Sequence, residues 1–166
     1  RFKGTVVAIT GSNGKTVTKE WIAQLCPQGV KLFRSPKSYN SQIGVPLSVL
    51  MLNGDEQIAV IEAGISQPGE MERLEKIVSP DIGILTNIGD AHQENFSTLE
   101  EKLREKLHLF RNTPAIIYNS GNSMVDTVMR EIYPDRKLFP VTRSFYDLNG
   151  IFMTDDASLD NAAEAI

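Results

Sequence analysis

Lys15 and Thr16 close a glycine-punctuated turn, Gly11-Ser12-Asn13-Gly14, and a cation followed by a hydroxyl at that point suits phosphate chemistry. Gly11 and Gly14 let the backbone curl so that N–H groups point inward, Lys15 can reach phosphate oxygens, and Thr16 can hold Mg²⁺. The strict phosphate-loop pattern wants a further glycine where this chain has Ile9, so only G-x-x-G-K-T is kept. Other polar residues stand where apolar runs end. Glu62 closes Ile58-Ala59-Val60-Ile61 and needs a cation; it is read as a metal ligand, against a salt bridge to a lysine or a helix cap at Gly64. Asn87 follows Ile82 to Leu85, and Asn119 follows Ala115 to Tyr118. Asn40 lies in a polar stretch, Ser35 to Gln42, where it either meets an anion or caps the helix that follows. His92 is a loop histidine that either contacts metal or phosphate or is simply solvated. Lys106 falls roughly 60° from Leu103 at about 100° per residue, at the margin of an apolar face, where it can reach inward or snorkel. Lys102 and Arg104 are expected to point further out.

These residues need a scaffold that gathers them. Val6 to Ile9 reads as a strand, and Val17, Trp21 and Leu25 as the buried stripe of the helix after the loop. Val30 to Arg34 fits a short second strand, and Pro46 sits in the first turn of a helix running to about Leu52. Met71, Leu74, Ile77 and Val78 make one further helical face; Val125, Val128, Met129 and Ile132 make another. Ser97 with Glu100 forms a capping box ahead of Leu99, Leu103, Leu107 and Phe110. Buried strands alternating with helices predict an α/β fold, a three-layer α/β/α domain with a mostly parallel sheet. In such sheets ligands bind at the carboxyl ends of the strands, which is where the phosphate loop, Glu62, Asn87 and Asn119 fall.

The 166 residues suit one domain with a substantial core, at 41% apolar and 23% charged. A net charge of −4 argues against a nucleic-acid partner, which calls for a basic face. Cys26 is alone, and no apolar run approaches a bilayer span, so a cytoplasmic protein without a membrane partner is expected. Arg1 opens the chain a few residues before the first strand, without a methionine or a signal-like segment, as expected of a piece of a longer protein.

Thr10 to Thr16, Asn40 before Ile43-Gly44-Val45-Pro46, Glu62-Ala63-Gly64, Thr86-Asn87-Ile88 through Ala91-His92, and Glu105-Lys106 to Phe110 resemble, in order and spacing, the central domain of the Mur ligases. Within that family the resemblance is to members that add D-alanyl-D-alanine to UDP-muramoyl-tripeptide; Ser35 to Gln42 is similar to versions fused to an alanine racemase. The resemblance implies ATP-dependent amide synthesis through an acyl phosphate. It implies that Lys15 neutralises the β- and γ-phosphates, that Thr16 and Glu62 hold one Mg²⁺, and that His92 helps bind a second. Lys106 would take up CO₂ as a carbamate, an anionic ligand for the second Mg²⁺, and Asn40 would contact the γ-phosphate or the carboxylate being activated. Gly11, Ser12, Asn13, Gly14, Asn87 and Asn119 fall on the nucleotide side. Asn119-Ser120-Gly121-Asn122 stands where the family has an asparagine-aspartate turn beside adenine, and the aspartates are absent. Residues 1–166 would be the central ATP-binding domain alone, without the amino-terminal UDP-binding and carboxy-terminal closing domains of the same chain. Residues 144–166 are shortened against the family pattern, with Asp155 to Ala162 resembling the segment that closes the domain. Two other readings are a folylpolyglutamate synthetase-like ligase and a nucleotide switch that makes no amide bond.

Overall fold

The computed structural model describes residues 2–89 and 95–142, so His92 and the shortened 144–166 stretch lie outside the described residues. The chain runs β1 (Thr5–Thr10), α1 (Lys15–Leu25), β2 (Leu32–Arg34), α2 (Gly44–Leu50), β3 (Ile58–Glu62), α3 (Glu70–Val78), β4 (Ile82–Leu85), α4 (Leu99–Leu107), β5 (Ala115–Asn119), α5 (Ser123–Ile132) and β6 (Lys137–Val141). The strands form one sheet in the order β2-β3-β1-β4-β5-β6, and every neighbouring pair is parallel. Connections leave β1 towards β2 on one side, while β4 continues away on the other. The crevice between β1 and β4 is therefore the switch point at which open parallel sheets receive ligands.

Period-two alternation supplies both faces of the sheet. Val7, Ile9, Val60 and Ile84 pack on the side of α1, against Ile22. Their neighbours Ala8, Ile61 and Leu85 turn the other way, into a larger core with Val45 of α2, Leu74 of α3, Leu103 of α4 and Val128 of α5. Sheet and two helical layers give the α/β/α sandwich that the sequence predicts. Helices as short as α4 are marginal alone, so it is the burial of Leu103 and Leu107 that holds it.

Three local expectations need correction, and the alternative that Asn40 caps a helix falls away. α1 does not bury Val17, Trp21 and Leu25: Val17 and Leu25 are 40% and 59% exposed, and Thr18 and Lys19 face inward instead. The helix is rotated by an ion pair, because Lys19 Nζ lies 3.2 Å from the Glu62 carboxylate and both side chains are buried. The cap of α4 sits one residue later than Ser97 and Glu100. Thr98 Oγ1 accepts from the Glu101 N–H at 3.0 Å, and Glu101 reaches back to the Ser97 N–H at 2.8 Å. Glu100 pairs with Arg104 at 2.8 Å instead. Asn40 does not cap α2, since Ser41 Oγ accepts from the Gly44 N–H at 3.1 Å and the Asn40 side chain turns to Glu62. Finally, Lys102 points inward and is 1% exposed. It shares a face with Lys106, one turn on, and that face looks at loop carbonyls while Leu103 and Leu107 look at the core.

Candidate active site

β1 delivers the chain to the switch point, and two glycines turn it there. Gly11 has φ 147° and Gly14 φ 83°, backbone regions in which a side chain is strained. Gly14 also ends the loop as the N-cap residue of α1. The loop is braced from the neighbouring strand: Ser12 N–H donates to the Asn87 carbonyl at 2.8 Å and Asn13 N–H to Asn87 Oδ1 at 2.9 Å. Ser12 Oγ donates to the Gly89 carbonyl, and Thr86 Oγ1 donates to the Asn13 carbonyl at 2.6 Å. The inward curl expected of the whole loop is thus divided. Ser12 and Asn13 spend their N–H groups on Asn87, whereas Lys15 and Thr16, in the first turn of α1, have no acceptor within the helix and remain for an anion.

A Cβ on Gly11 would overlap the Thr86 hydroxyl and press on the Asn87 backbone at 3.1 Å. Gly11→Ala is accordingly expected to keep the sheet, lose about 1–3 kcal/mol of stability through overpacking, and weaken ADP binding about tenfold or more. Thermal melts with and without ADP measure both, and a variant with the parental melting point and ADP shift would contradict the brace.

Glu62, at the end of β3, is the hub of the second half of the site. Its Oε2 accepts from Thr16 Oγ1 at 2.9 Å and from Lys19 Nζ at 3.2 Å, and its Oε1 accepts from Asn40 Nδ2 at 2.7 Å. At 1% exposure the carboxylate meets the need for a cation with a lysine. Thr16 and Glu62 place hard oxygens side by side, the ligand type that Mg²⁺ takes. Among the described residues no group of three or more His, Cys, Asp or Glu side chains could hold a metal.

Three lysines converge across from Glu62. Lys15 Nζ donates to the carbonyls of Gly11 at 3.0 Å and Ser12 at 3.1 Å, and Lys106 Nζ donates to the same Gly11 carbonyl at 3.1 Å. Lys102 Nζ donates to the Gly89 carbonyl. Burial lowers the pKa of Lys15, with Lys102 adding to the fall and Glu62 opposing it. Lys106 falls further, to about 7, first through burial and then through repulsion from Lys15 and Lys102. Lys15 and Lys106 share one loop carbonyl while Glu62 is paired to Lys19, so an anion entering here would meet amine donors.

A small cavity of about 100 Å³ opens between these groups, lined by Lys15, Asn40, Gln42, Gly64, Glu70 and Lys106 among others. Of the residues singled out in the sequence, Gly11, Ser12, Asn13, Gly14, Lys15, Thr16, Asn40, Glu62, Asn87 and Lys106 gather around the switch point. Asn119 stands apart, two strands along at the end of β5, where its Oδ1 caps the turn at the Gly121 N–H at 2.8 Å. Lys19 and Lys102 lie among the gathered residues and were not singled out from the pattern, whereas Thr86 stood in it only as the neighbour of Asn87. The one available signal for Lys19 was its place one turn beyond Lys15, on the face of α1 that leaves the loop.

The chain matches the description "Mur ligase middle domain" over residues 9–161. A UDP-N-acetylmuramoyl-tripeptide–D-alanyl-D-alanine ligase of Borreliella burgdorferi is 41% identical over 117 residues, covering 70% of this chain and 25% of the relative. The MurF ligase of Thermotoga maritima, solved in complex with ADP, superimposes with a TM-score of 0.73 at 35% identity, covering 82% of this chain and 32% of that one. A point mutant of L. casei FPGS reaches a TM-score of 0.62 at 14% identity, covering 83% of this chain and 45% of that one, a likeness of fold alone. This chain thus spans about a quarter of the length of the curated relatives it matches. A matching family model, a shared parallel sheet and a braced phosphate loop facing buried lysines make one conclusion: the chain belongs to the Mur ligase family, as its middle domain.

Proposed function

We propose that this chain is the ATP-binding part of a cytoplasmic ligase that joins D-alanyl-D-alanine to UDP-muramoyl-tripeptide during peptidoglycan precursor synthesis. The observation that carries the reading is the meeting of Lys15, Glu62, Asn40 and Lys106 at the carboxyl ends of β1, β3 and β4. A phosphate chain has its cations there, and an acceptor carboxylate has an amide donor beside it. The relatives named for this reaction, and the relative solved with ADP, support the substrate class.

In this reading Lys15 and the first turn of α1 bind the β- and γ-phosphates. Asn40 orients the carboxylate that attacks the γ-phosphorus, giving an acyl phosphate and ADP. The amine of the dipeptide then attacks the acyl carbon, phosphate leaves, and the amine proton passes to solvent. Thr16 and Glu62 would hold one Mg²⁺; His92 and a carbamate on Lys106 would hold a second. The chemistry that Mg²⁺ would supply there is charge neutralisation on the transferring phosphoryl group. Neutral Lys106 forms the carbamate when its nitrogen bonds to the carbon of CO₂, a C=O pair moves to oxygen, and an N–H proton is released. Asn119, two strands along the same edge, would face the base end of the nucleotide. Most of this chemistry is positioning and neutralisation, so the site calls for cations and an amide rather than an activated nucleophile of its own.

The decisive assay is Mg²⁺-dependent phosphate release from ATP by the full-length protein. Release is expected only when UDP-muramoyl-tripeptide and D-alanyl-D-alanine are both present. Release driven by a folate and glutamate would assign the site to the folylpolyglutamate synthetase reaction, and release indifferent to any acceptor would assign it to a switch. The 166-residue chain alone is expected to bind ADP weakly and make no product, because the acceptor and amine surfaces belong to other domains.

A further inference from the structure

The most buried charge at the site is one that the reaction as proposed does not use. Lys19 is fully buried, and its ammonium donates to Glu62 Oε2 and to the Lys37 carbonyl. Lys37 has φ 45°, a left-handed conformation that a residue with a side chain holds against a steric cost. The turn beyond it is stitched by Tyr39 N–H to the Pro36 carbonyl at 3.0 Å and Asn40 N–H to the Ser38 carbonyl at 2.8 Å. Gly64 N–H then holds the Asn40 carbonyl at 2.7 Å, and Asn40 Nδ2 reaches Glu62 Oε1. One ammonium therefore ties together the helix after the phosphate loop, the carboxylate on β3 and the turn that presents Asn40.

Stability does not explain an ammonium here, because a buried ion pair is often matched by well-packed apolar side chains. Its location does. We propose that Lys19 is a positioning residue: it stands in for a divalent cation at Glu62, holds the Lys37 turn so that Asn40 is in place, and competes with the cation for Glu62 Oε2. This rests on the nucleotide reading above. A dry carboxylate oxygen shared between an ammonium and Mg²⁺ would bring like charges together, so cation binding would weaken the ammonium's hold on Oε2. Lys19 then keeps the Lys37 carbonyl, and the turn stays anchored.

The test compares the full-length protein with Lys19→Met in two measurements. Amide hydrogen exchange without nucleotide should show Tyr39, Asn40 and Gly64 losing about tenfold or more of their protection in the variant, while Ala8 and Ile84 in the sheet keep theirs. Calorimetric ADP titrations at graded Mg²⁺ should show the half-saturating Mg²⁺ falling about fivefold, because the competing charge is gone. A merely structural lysine would leave that concentration unchanged or raise it. Unchanged protection in the turn, or a half-saturating Mg²⁺ that holds or rises, overturns the proposal. If Lys19→Met fails to fold around an unpaired Glu62, Lys19→Met/Glu62→Gln removes both charges, and the exchange measurement decides alone. Failure of the unmodified protein to bind ADP would strike the nucleotide reading, and the exchange result would still judge Lys19.

Discussion

Lys15→Ala in the full-length protein is expected to leave the fold intact and to lower turnover by about a thousandfold or more, equivalent to ~4 kcal/mol of lost transition-state stabilisation. The two halves of that result have separate causes. Lys15 Nζ is satisfied by the Gly11 and Ser12 carbonyls, and its charged form is disfavoured by burial, so removing it relieves a cost in the nucleotide-free protein. In the transferring state that charge would face the γ-phosphoryl oxygens, where no neighbouring lysine replaces it: Lys19 is held on Glu62, Lys102 donates to the Gly89 carbonyl, and Lys106, on the same Gly11 carbonyl as Lys15, is the amine set aside for the carbamate. The measurements are a thermal melt, expected within a few degrees of the parent, and steady-state phosphate release. Near-normal turnover in Lys15→Ala would remove the phosphate assignment of the loop.

Lys106→Ala is expected to be almost inactive in the full-length protein and to recover part of its activity with a small carboxylate such as formate. The reasoning begins from the neutral amine that a carbamate requires. With a pKa of about 7, roughly three-quarters of Lys106 is uncharged at about pH 7.5, against about one part in a thousand for an ordinary lysine. Labelled bicarbonate should give a carbamate carbon signal that vanishes in Lys106→Ala and shifts to higher pH in Lys102→Met, which removes a repelling charge. Stability carries the same signature. The folded pKa lies below the unfolded one, so between about pH 7 and 10.5 the unfolded chain holds a proton that the folded chain has released. The unfolding free energy should rise with pH across that window, and Lys106→Met should flatten the rise. Full activity of Lys106→Ala, or inactivity confined to Lys102→Ala, would refute the assignment.

What could be read from the sequence was whatever hydrophobic periodicity and glycine placement encode. β1, β3, β4 and β5 are apolar runs bounded by polar residues, and each forms a strand of the parallel sheet. β6 escaped because Lys137 and Pro140 interrupt it; it lies at the sheet edge, where a missing N–H is tolerated and Pro140 can stand opposite Tyr118. The misread faces of α1 and α4 share a cause. Periodicity sends lysines to solvent, whereas Lys19 and Lys102 are drawn inward by a carboxylate and by a carbonyl. A site that collects cations for a polyanion breaks the hydrophobic pattern at the very helices that build it. Lys106 was legible because its phase placed it at the margin of the stripe and because Glu105-Lys106 fits the family pattern.

The brace on the phosphate loop also sets when the loop can exist. Asn87 and Gly89 lie 74 and 77 residues downstream of the groups they hold. β1 precedes its sheet neighbours β3 and β4 in the chain, which arrive only after two and three further helices. A nascent chain must therefore carry Val6 to Ile9 as an unpaired, strongly apolar segment until both flanks have been synthesised, the interval in which such a strand is open to aggregation or chaperone capture. Nucleotide can engage only after that interval. Ligand then adds RT ln(1 + [L]/Kd) to the finished fold, about 2.7 kcal/mol at a hundredfold excess over Kd, and nothing to the partly made one. In a pulse-labelled translation, acquisition of ADP-dependent protease resistance would mark the moment at which β4 docks.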